Sequence, residues 1–268
     1  MLCTRCRTRT AVTDDGLCTF CSGTRPVLPG RPVTLATDPG GRGAGTWLRS
    51  PVGLSRAVTA LLATVIATDL AALASGLRLR GLWAGYADDG DEAVHGSRGE
   101  WAEGLYAATG VVQFMAFLAT AVVFVIWFHR TSRNAEIFDP TALTLRPGWS
   151  VGGWFVPVAN FWLPYRVAAG SWRASAPVGP EGARLPVSRA PLNLWWAVWV
   201  AAMLLDRIAA RAWGRAEEPG EIVDGLALMM AADALDVVSA VLAILFVRAL
   251  TRMQVARAGH HAPQPAAA

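Results

Sequence analysis

The chain has 268 residues, of which 53% are hydrophobic and only 16% are charged. Soluble domains carry about 25% charged residues, so this composition excludes an ordinary soluble domain and favours a membrane protein. The net charge is +4 and all 24 basic residues are arginine. These arginines are scattered over predicted loops and termini rather than gathered in one basic patch, and we therefore expect no nucleic-acid partner.

All four cysteines lie near the N-terminus, at Cys3, Cys6, Cys18 and Cys21. Two CxxC pairs joined by a turn present four thiolates, which is the ligand set of a structural zinc site. Two disulfides or a redox pair would fit the same spacing. No apolar run in this stretch predicts a signal peptide, and the reducing cytoplasm favours metal over disulfides. We predict a zinc-ribbon-like module over residues 1–24, with zinc as a structural cofactor.

A flexible linker rich in Gly, Pro and Arg is predicted over residues 25–50, followed by a helical membrane domain over 51–252 and a disordered tail over 253–268. Four apolar runs of this domain, each of about 20 residues or more, are long enough to cross a bilayer. These predicted spans are residues 57–77, 105–128, 191–209 and 222–247. The stretch 78–104, in which acidic residues outnumber arginines, is predicted to be an external loop.

The distribution of arginine predicts the orientation of the chain. With four spans both termini lie on the same side, and eighteen of the 24 arginines then lie on that side. Positively charged loops are retained in the cytoplasm. We therefore predict a multi-pass protein of the plasma membrane with cytoplasmic N- and C-termini.

Between the second and third spans, residues 149–173 form an aromatic-rich apolar run that Pro157 and Pro164 interrupt. Proline removes a backbone donor and pushes the preceding residue out of helical geometry, so a fifth straight span is not expected. We predict a broken segment that re-enters the bilayer or lies at its interface. The residues that define it are Trp149, Trp154, Phe155, Pro157, Asn160, Pro164, Tyr165 and Trp172.

Four polar residues lie within the predicted spans: Asp69, Gln113, Asp233 and Asp236. The first two lie about 12 Å from the outer ends of their spans and Asp233 about 16 Å, so three helices carry polar groups at a similar depth. A carboxylate in lipid costs about 2.5–3.5 kcal/mol, so these groups should face the bundle interior. They are candidates either for a proton or cation path or for interhelical hydrogen bonds. Asp206 and Asp224, near span ends, are interpreted as interfacial.

Several short motifs resemble those of the actinobacterial membrane proteins grouped as domain of unknown function 4328. The resemblance covers about residues 54–250. It rests on the sequences Arg133-Asn134-Ala135-Glu136, Gly148-Trp149, Gly153-Trp154-Phe155-Val156-Pro157-Val158-Ala159-Asn160, Pro164-Tyr165 and Trp172-Arg173-Ala174-Ser175. Similar proteins often carry an N-terminal cysteine ribbon. The resemblance implies a multi-span helical membrane protein and assigns no activity.

The sequence contains none of the common catalytic or phosphate-binding motifs, so we do not expect an enzyme. The first functional hypothesis is a membrane-anchored interaction or regulatory protein whose cytoplasmic zinc ribbon binds a protein partner. The alternative is a transporter or channel for a small solute, a proton or a cation, built around the intramembrane aspartates and Asn160 in the broken segment. Four spans leave little room for a path, so this alternative implies a homo-oligomer in the bilayer.

Overall fold

The computed structural model describes residues 48–179 and 185–259. The predicted zinc module with its four cysteines, the linker as far as residue 47 and the tail from residue 260 lie outside the described residues. Within the described ranges the fold is all-helical.

Six α-helices follow one another in the described part of the chain: α1 Val52–Asp89, α2 Ser97–Phe138, α3 Trp149–Gly152, α4 Leu163–Ala174, α5 Ala190–Trp213 and α6 Pro219–Gly259. Single 3₁₀ turns occupy Glu92–Val94, Pro140–Ala142 and Ala159–Phe161. Four of the helices, α1, α2, α5 and α6, are long and apolar enough to cross a membrane. The chain therefore has the four apolar helices of a multi-pass membrane protein, as its sequence predicts.

The long helices form a bundle in which α1 packs along both α2 and α6, and α5 packs along α6. Helix α4 packs against α2. We call the end of the bundle at residues 86–97 and 213–219, where α1 turns into α2 and α5 into α6, the hairpin end. The opposite end, which carries residues 139–179, residues 185–189 and the C-terminal part of α6, is the segment end.

The surface of the bundle is apolar, as expected of helices that face lipid. On α2 the side chains of Val111, Phe114 and Phe117 are 63%, 58% and 56% exposed. A soluble helix of this length would carry polar residues on such a face. An apolar belt around the middle of the bundle is what contact with a lipid bilayer requires.

At the hairpin end the helices extend well beyond the predicted spans. The stretch 78–104, predicted as an external loop, is mostly helix, because α1 continues to Asp89 and α2 begins at Ser97. The reason is an apolar stripe at helical spacing, in which Leu79, Leu82 and Trp83 pack against Leu226. The charged residues of the stretch occupy the other faces. The connection between α1 and α2 is therefore short.

At the segment end the structure also extends the predicted elements. Helix α6 runs to Gly259, so residues 253–259 belong to the bundle and not to a disordered tail. The last linker residues are held in place as well, because the Arg49 N–H donates to Asn134 Oδ1 and the Asn134 amide donates to the Arg49 carbonyl oxygen. Buried polar side chains at this end account for both differences.

The segment over residues 149–173 is broken, as its two prolines predict. A single helical turn, α3, is followed by turns and a 3₁₀ turn, and regular helix resumes at Leu163 with Pro164 in the first turn of α4. Between them Val158 has φ 64°, a backbone conformation that a β-branched residue rarely adopts. The break therefore contains local backbone strain at Val158. Its depth in the bilayer stays a prediction.

Candidate functional site

The side-chain amide of Gln113 on α2 joins two carboxyl groups from two other helices. Its Nε2 donates to Asp69 Oδ1 on α1 at 2.8 Å and to Asp233 Oδ1 on α6 at 2.8 Å. We call these three residues the polar triad. Each lies in the middle third of a long helix, and the structure thus brings together three of the four intramembrane polar residues that the sequence singled out.

The two carboxyl groups of the polar triad are largely buried. Asp69 is 1% exposed and Asp233 is 8% exposed. The second carboxyl oxygen of Asp69, Oδ2, is buried and has no hydrogen-bond partner. A buried carboxyl oxygen without a donor is costly, and a shared proton or a bound ion would relieve that cost.

A second pair of carboxyl groups lies beside the triad. Asp206 on α5 forms a side-chain hydrogen bond with Asp236 on α6. An ionised carboxylate only accepts hydrogen bonds, so this pair can form only if one of the two groups carries a proton. Asp236 is also close enough to Asp69 and Asp233 for their charges to interact. Asp206 was interpreted from the sequence as interfacial, and the residue is exposed in the structure as well. Its carboxyl group nevertheless meets Asp236, and we call Asp69, Asp206, Asp233 and Asp236 the aspartate cluster.

The four aspartates have no basic partner among the residues that the structure describes. The ion pair formed there by Arg133 and Glu136 lies at the segment end, far from the cluster. Within the described ranges, no three His, Cys, Asp or Glu side chains are arranged to hold a metal ion. Within the described ranges, no basic side chain therefore neutralises the carboxyl groups of the four aspartates, which either carry negative charge or share protons.

Beside the polar triad lies a cavity of about 630 Å³ that extends toward the hairpin end. Gln113 and Asp233 border it on the inner side, and its walls include the aromatic side chains of Trp83, Tyr106 and Trp213. One face of α2 lines it over several turns, with residues at helical spacing: Glu103, Tyr106, Ala107, Gly110 and Gln113. A space of this size accommodates a small molecule.

Toward the segment end the space between α2 and α5 is closed by aromatic side chains. We call the group the aromatic cluster: Phe124, Trp127, Phe128, Trp154, Trp195 and Phe246. The Trp154 ring, from the broken segment, lies 5.9 Å from the Phe124 ring on α2 and 5.5 Å from the Trp199 ring on α5. The broken segment thus fills one half of the gap between these helices, and the cavity occupies the other half.

The residues predicted to define the broken segment have different environments. Trp172 is buried and stacks on Phe246, and Tyr165 donates through its hydroxyl to Asn193 Oδ1. Pro164 is buried in the first turn of α4. By contrast Trp149, Phe155 and Pro157 are exposed. The segment therefore packs one side on the bundle and presents the other to its surroundings.

Asn160, which the sequence placed with the aspartates in a transport path, does not line the cavity. Its neighbour Phe161 accepts a hydrogen bond from the indole of Trp196, near the start of α5. Asp206 lies ten positions further along the same helix, a rise of about 15 Å. The structure thus separates Asn160 from the aspartates, with the aromatic cluster between them.

Comparison with protein families gives one result. The family model described as "Domain of unknown function (DUF4328)" matches residues 90–252, more than half of the chain. The chain belongs to the DUF4328 family. No curated protein and no solved structure matches it.

The DUF4328 match begins where α1 ends, so it covers α2 to α5 and most of α6. Gln113, Asp206, Asp233 and Asp236 lie within the matched range. Asp69 lies outside it, although Asp69 is the most deeply buried carboxyl of the cluster. The resemblance inferred from short sequence motifs began at about residue 54 and therefore also covered α1.

One DUF4328-like motif, Arg133 to Glu136, has a structural role. Asn134 donates to Gln254 Oε1 on α6 and pairs with the backbone of Arg49. Gln254, which is 1% exposed, in turn donates to the Thr131 carbonyl oxygen and to Ser175 Oγ. This network connects the entry to α1 with α2, α4 and α6, and it satisfies the buried amides at the segment end.

The structure also pairs His129 with Ser150, whose Oγ lies 2.8 Å from His129 Nδ1. In hydrolases such a pair activates the serine. Here the Ser150 hydroxyl donates its proton to the Pro147 carbonyl oxygen, so His129 must donate to Ser150 rather than accept from it. Ser150 is also fully buried. The pair therefore anchors α3 to α2 and lacks the geometry of a nucleophile and its base.

Proposed function

We propose that this DUF4328 protein is a transport protein that couples passage of a small cationic solute to protonation of its aspartate cluster. The observation that carries the proposal is the polar triad, which borders a cavity open toward one end of the bundle. A structural hydrogen-bond network would need no such access. The alternative function from the sequence is therefore the one that the described geometry favours.

The cluster has the chemistry of a proton-accepting site. Asp69 Oδ2 has no donor, and the Asp206–Asp236 pair requires a shared proton. Carboxyl groups inside membrane proteins often form proton relays, because each group can gain or lose a proton as a solute binds or leaves. Four such groups within reach of one another can take up a proton in exchange for a cation.

The closure at the segment end supports alternating access. The cavity is open toward the hairpin end, whereas the aromatic cluster and the broken segment close the other half of the gap. Transporters expose a central site to one side at a time. On this basis we assign the described structure to a state open at the hairpin end, which the arginine distribution predicts to lie outside the cytoplasm.

Proton uptake into liposomes tests the proposal. The purified full-length protein is reconstituted into vesicles that hold a pH-sensitive dye and tetramethylammonium, and dilution into medium without that cation drives its exit in exchange for protons. We expect acidification at least tenfold faster than in protein-free vesicles. Asp233→Asn should remove most of that rate, because the amide cannot carry the proton.

The matched control is Asp224→Asn on the same helix. Asp224 is exposed and does not line the cavity, so this variant should retain the wild-type rate. Wild-type vesicles that acidify no faster than empty ones would overturn the proposal, and so would an equal loss of rate in both variants.

For the N-terminal module we propose a structural zinc site that serves a cytoplasmic protein partner, on the strength of the cysteine spacing alone. Metal analysis of the purified chain should find one zinc per chain, and replacing Cys3 and Cys6 by serine should reduce it to a tenth or less. A protein purified under reducing conditions without zinc would contradict this assignment. Disulfides in place of zinc would leave no free thiols in the denatured, unreduced chain.

A further inference from the structure

We propose that the cavity at the hairpin end binds an amphipathic organic cation, with its charged group beside Asp233 and Gln113 and its apolar body between the aromatic walls. This inference rests on the proposed function and specifies the class of solute. The site lies between α1, α2 and α6, with the end of α5 as its rim.

The charge of the cavity selects a cation. Its lining includes the carboxyl groups of Asp233, at the inner side, and Glu103, on an exposed part of α2. Among the described residues, no arginine or histidine lines it. Behind Asp233 the buried oxygen Oδ2 of Asp69 has no donor, and a cation at the inner side would offset that negative charge.

The aromatic and apolar walls of the cavity favour an organic cation over a small hydrated ion. Trp83 on α1, Tyr106 on α2 and Trp213 at the end of α5 come from three helices and face one space. The Tyr106 and Trp213 rings lie 6.4 Å apart in an edge-to-face arrangement. Aromatic faces attract desolvated cations, and cages of this kind recognise quaternary ammonium groups. Apolar side chains, including Leu79, Ile222 and Met229, complete the lining.

The size of the cavity agrees with this class of ligand. Sites for drug-sized molecules occupy about 300–1,000 Å³, and this cavity measures about 630 Å³. The small residues Ala107 and Gly110 on α2 make the space available. A Cβ at Gly110 would meet nothing within 4 Å, so a larger side chain can enter the cavity without displacing the helix.

Two ions of equal shape and opposite charge test the inference. Tetraphenylphosphonium and tetraphenylborate are titrated into the purified full-length protein in detergent, and binding is followed by isothermal titration calorimetry and by tryptophan fluorescence. Two of the twelve tryptophans, Trp83 and Trp213, line the cavity. We expect tetraphenylphosphonium to bind at least tenfold more tightly than tetraphenylborate. Asp233→Asn should weaken its binding at least tenfold, and Trp213→Leu should weaken it severalfold.

Gly110→Phe, which fills the cavity, should abolish this binding. Its matched control is Gly104→Phe on the same helix, because Gly104 also has nothing within 4 Å of a Cβ but does not line the cavity. The control also corrects for partition of both ions into detergent micelles. Equal binding of the two ions, or equal binding by the two glycine variants, would overturn the inference.

The liposome measurement separates this inference from the proposed function. If Asp233-dependent proton uptake is observed but tetraphenylphosphonium does not bind in the cavity, an amphipathic cation is the wrong solute class and the transport proposal stands. If tetraphenylphosphonium binds in the cavity but no Asp233-dependent proton uptake is found, the cation site stands and the transport proposal is wrong.

Discussion

Replacing Phe246 by alanine should lower the free energy of unfolding by about 3–5 kcal/mol, the range for a fully buried aromatic residue. Phe246 is 0% exposed and lies at the centre of the aromatic cluster. Its ring stacks on Trp195 with centroids 4.7 Å apart, and it also contacts the rings of Trp127 and Trp172. Truncation would leave a cavity where α2, α4, α5 and α6 meet.

Equilibrium unfolding with increasing sodium dodecyl sulfate in mixed micelles measures this loss. The adjacent residue provides the matched control, since Leu245 is 51% exposed on the lipid-facing side of α6. Leu245→Ala should change the stability by about 0.5 kcal/mol or less. If the two variants lose stability equally, the aromatic cluster is not the packing centre of the bundle.

The general architecture could be predicted from the sequence because the bilayer imposes it. Long apolar runs gave the number of spanning helices, and Pro157 and Pro164 gave the position of the break in the aromatic segment. The helix ends could not be placed in the same way. Hydropathy indicates where contact with lipid ends. Helices α1 and α6 extend past that point because side chains such as Leu79 and Gln254 pack or form hydrogen bonds within the bundle.

The candidate site could be predicted only in part. Depth along each helix placed Asp69, Gln113 and Asp233 at a common level, because rise per residue is fixed. The contact of Asp206 with Asp236 could not be predicted, because a position near a span end and beside Arg207 is typical of an interfacial residue. Trp83 and Trp213 were missed because an aromatic residue near a helix end usually marks the membrane interface. Only the packing of the four helices shows that both border one cavity.

Replacing Gln113 by leucine should destabilise the bundle by at least about 3 kcal/mol. Gln113 is the donor of two hydrogen bonds, to Asp69 and Asp233, and a bond to a charged acceptor contributes about 1.5–3 kcal/mol. Leucine has a similar size but no donor, so two nearly buried carboxyl groups would lose their partner. The same unfolding titration in mixed micelles measures the effect.

A triple variant, Asp69→Leu with Gln113→Leu and Asp233→Leu, then separates a structural role of the polar triad from a transport role. Replacing a whole buried polar group by apolar side chains is often neutral or stabilising, because no unpaired group is left. We therefore expect this variant to recover most of the stability that Gln113→Leu loses, yet to show no proton uptake in liposomes. If the triad served only to fix the bundle, the triple variant would transport as well as the wild type. If the triple variant were as unstable as Gln113→Leu, the loss of stability in Gln113→Leu would not arise from its unpaired carboxyl groups.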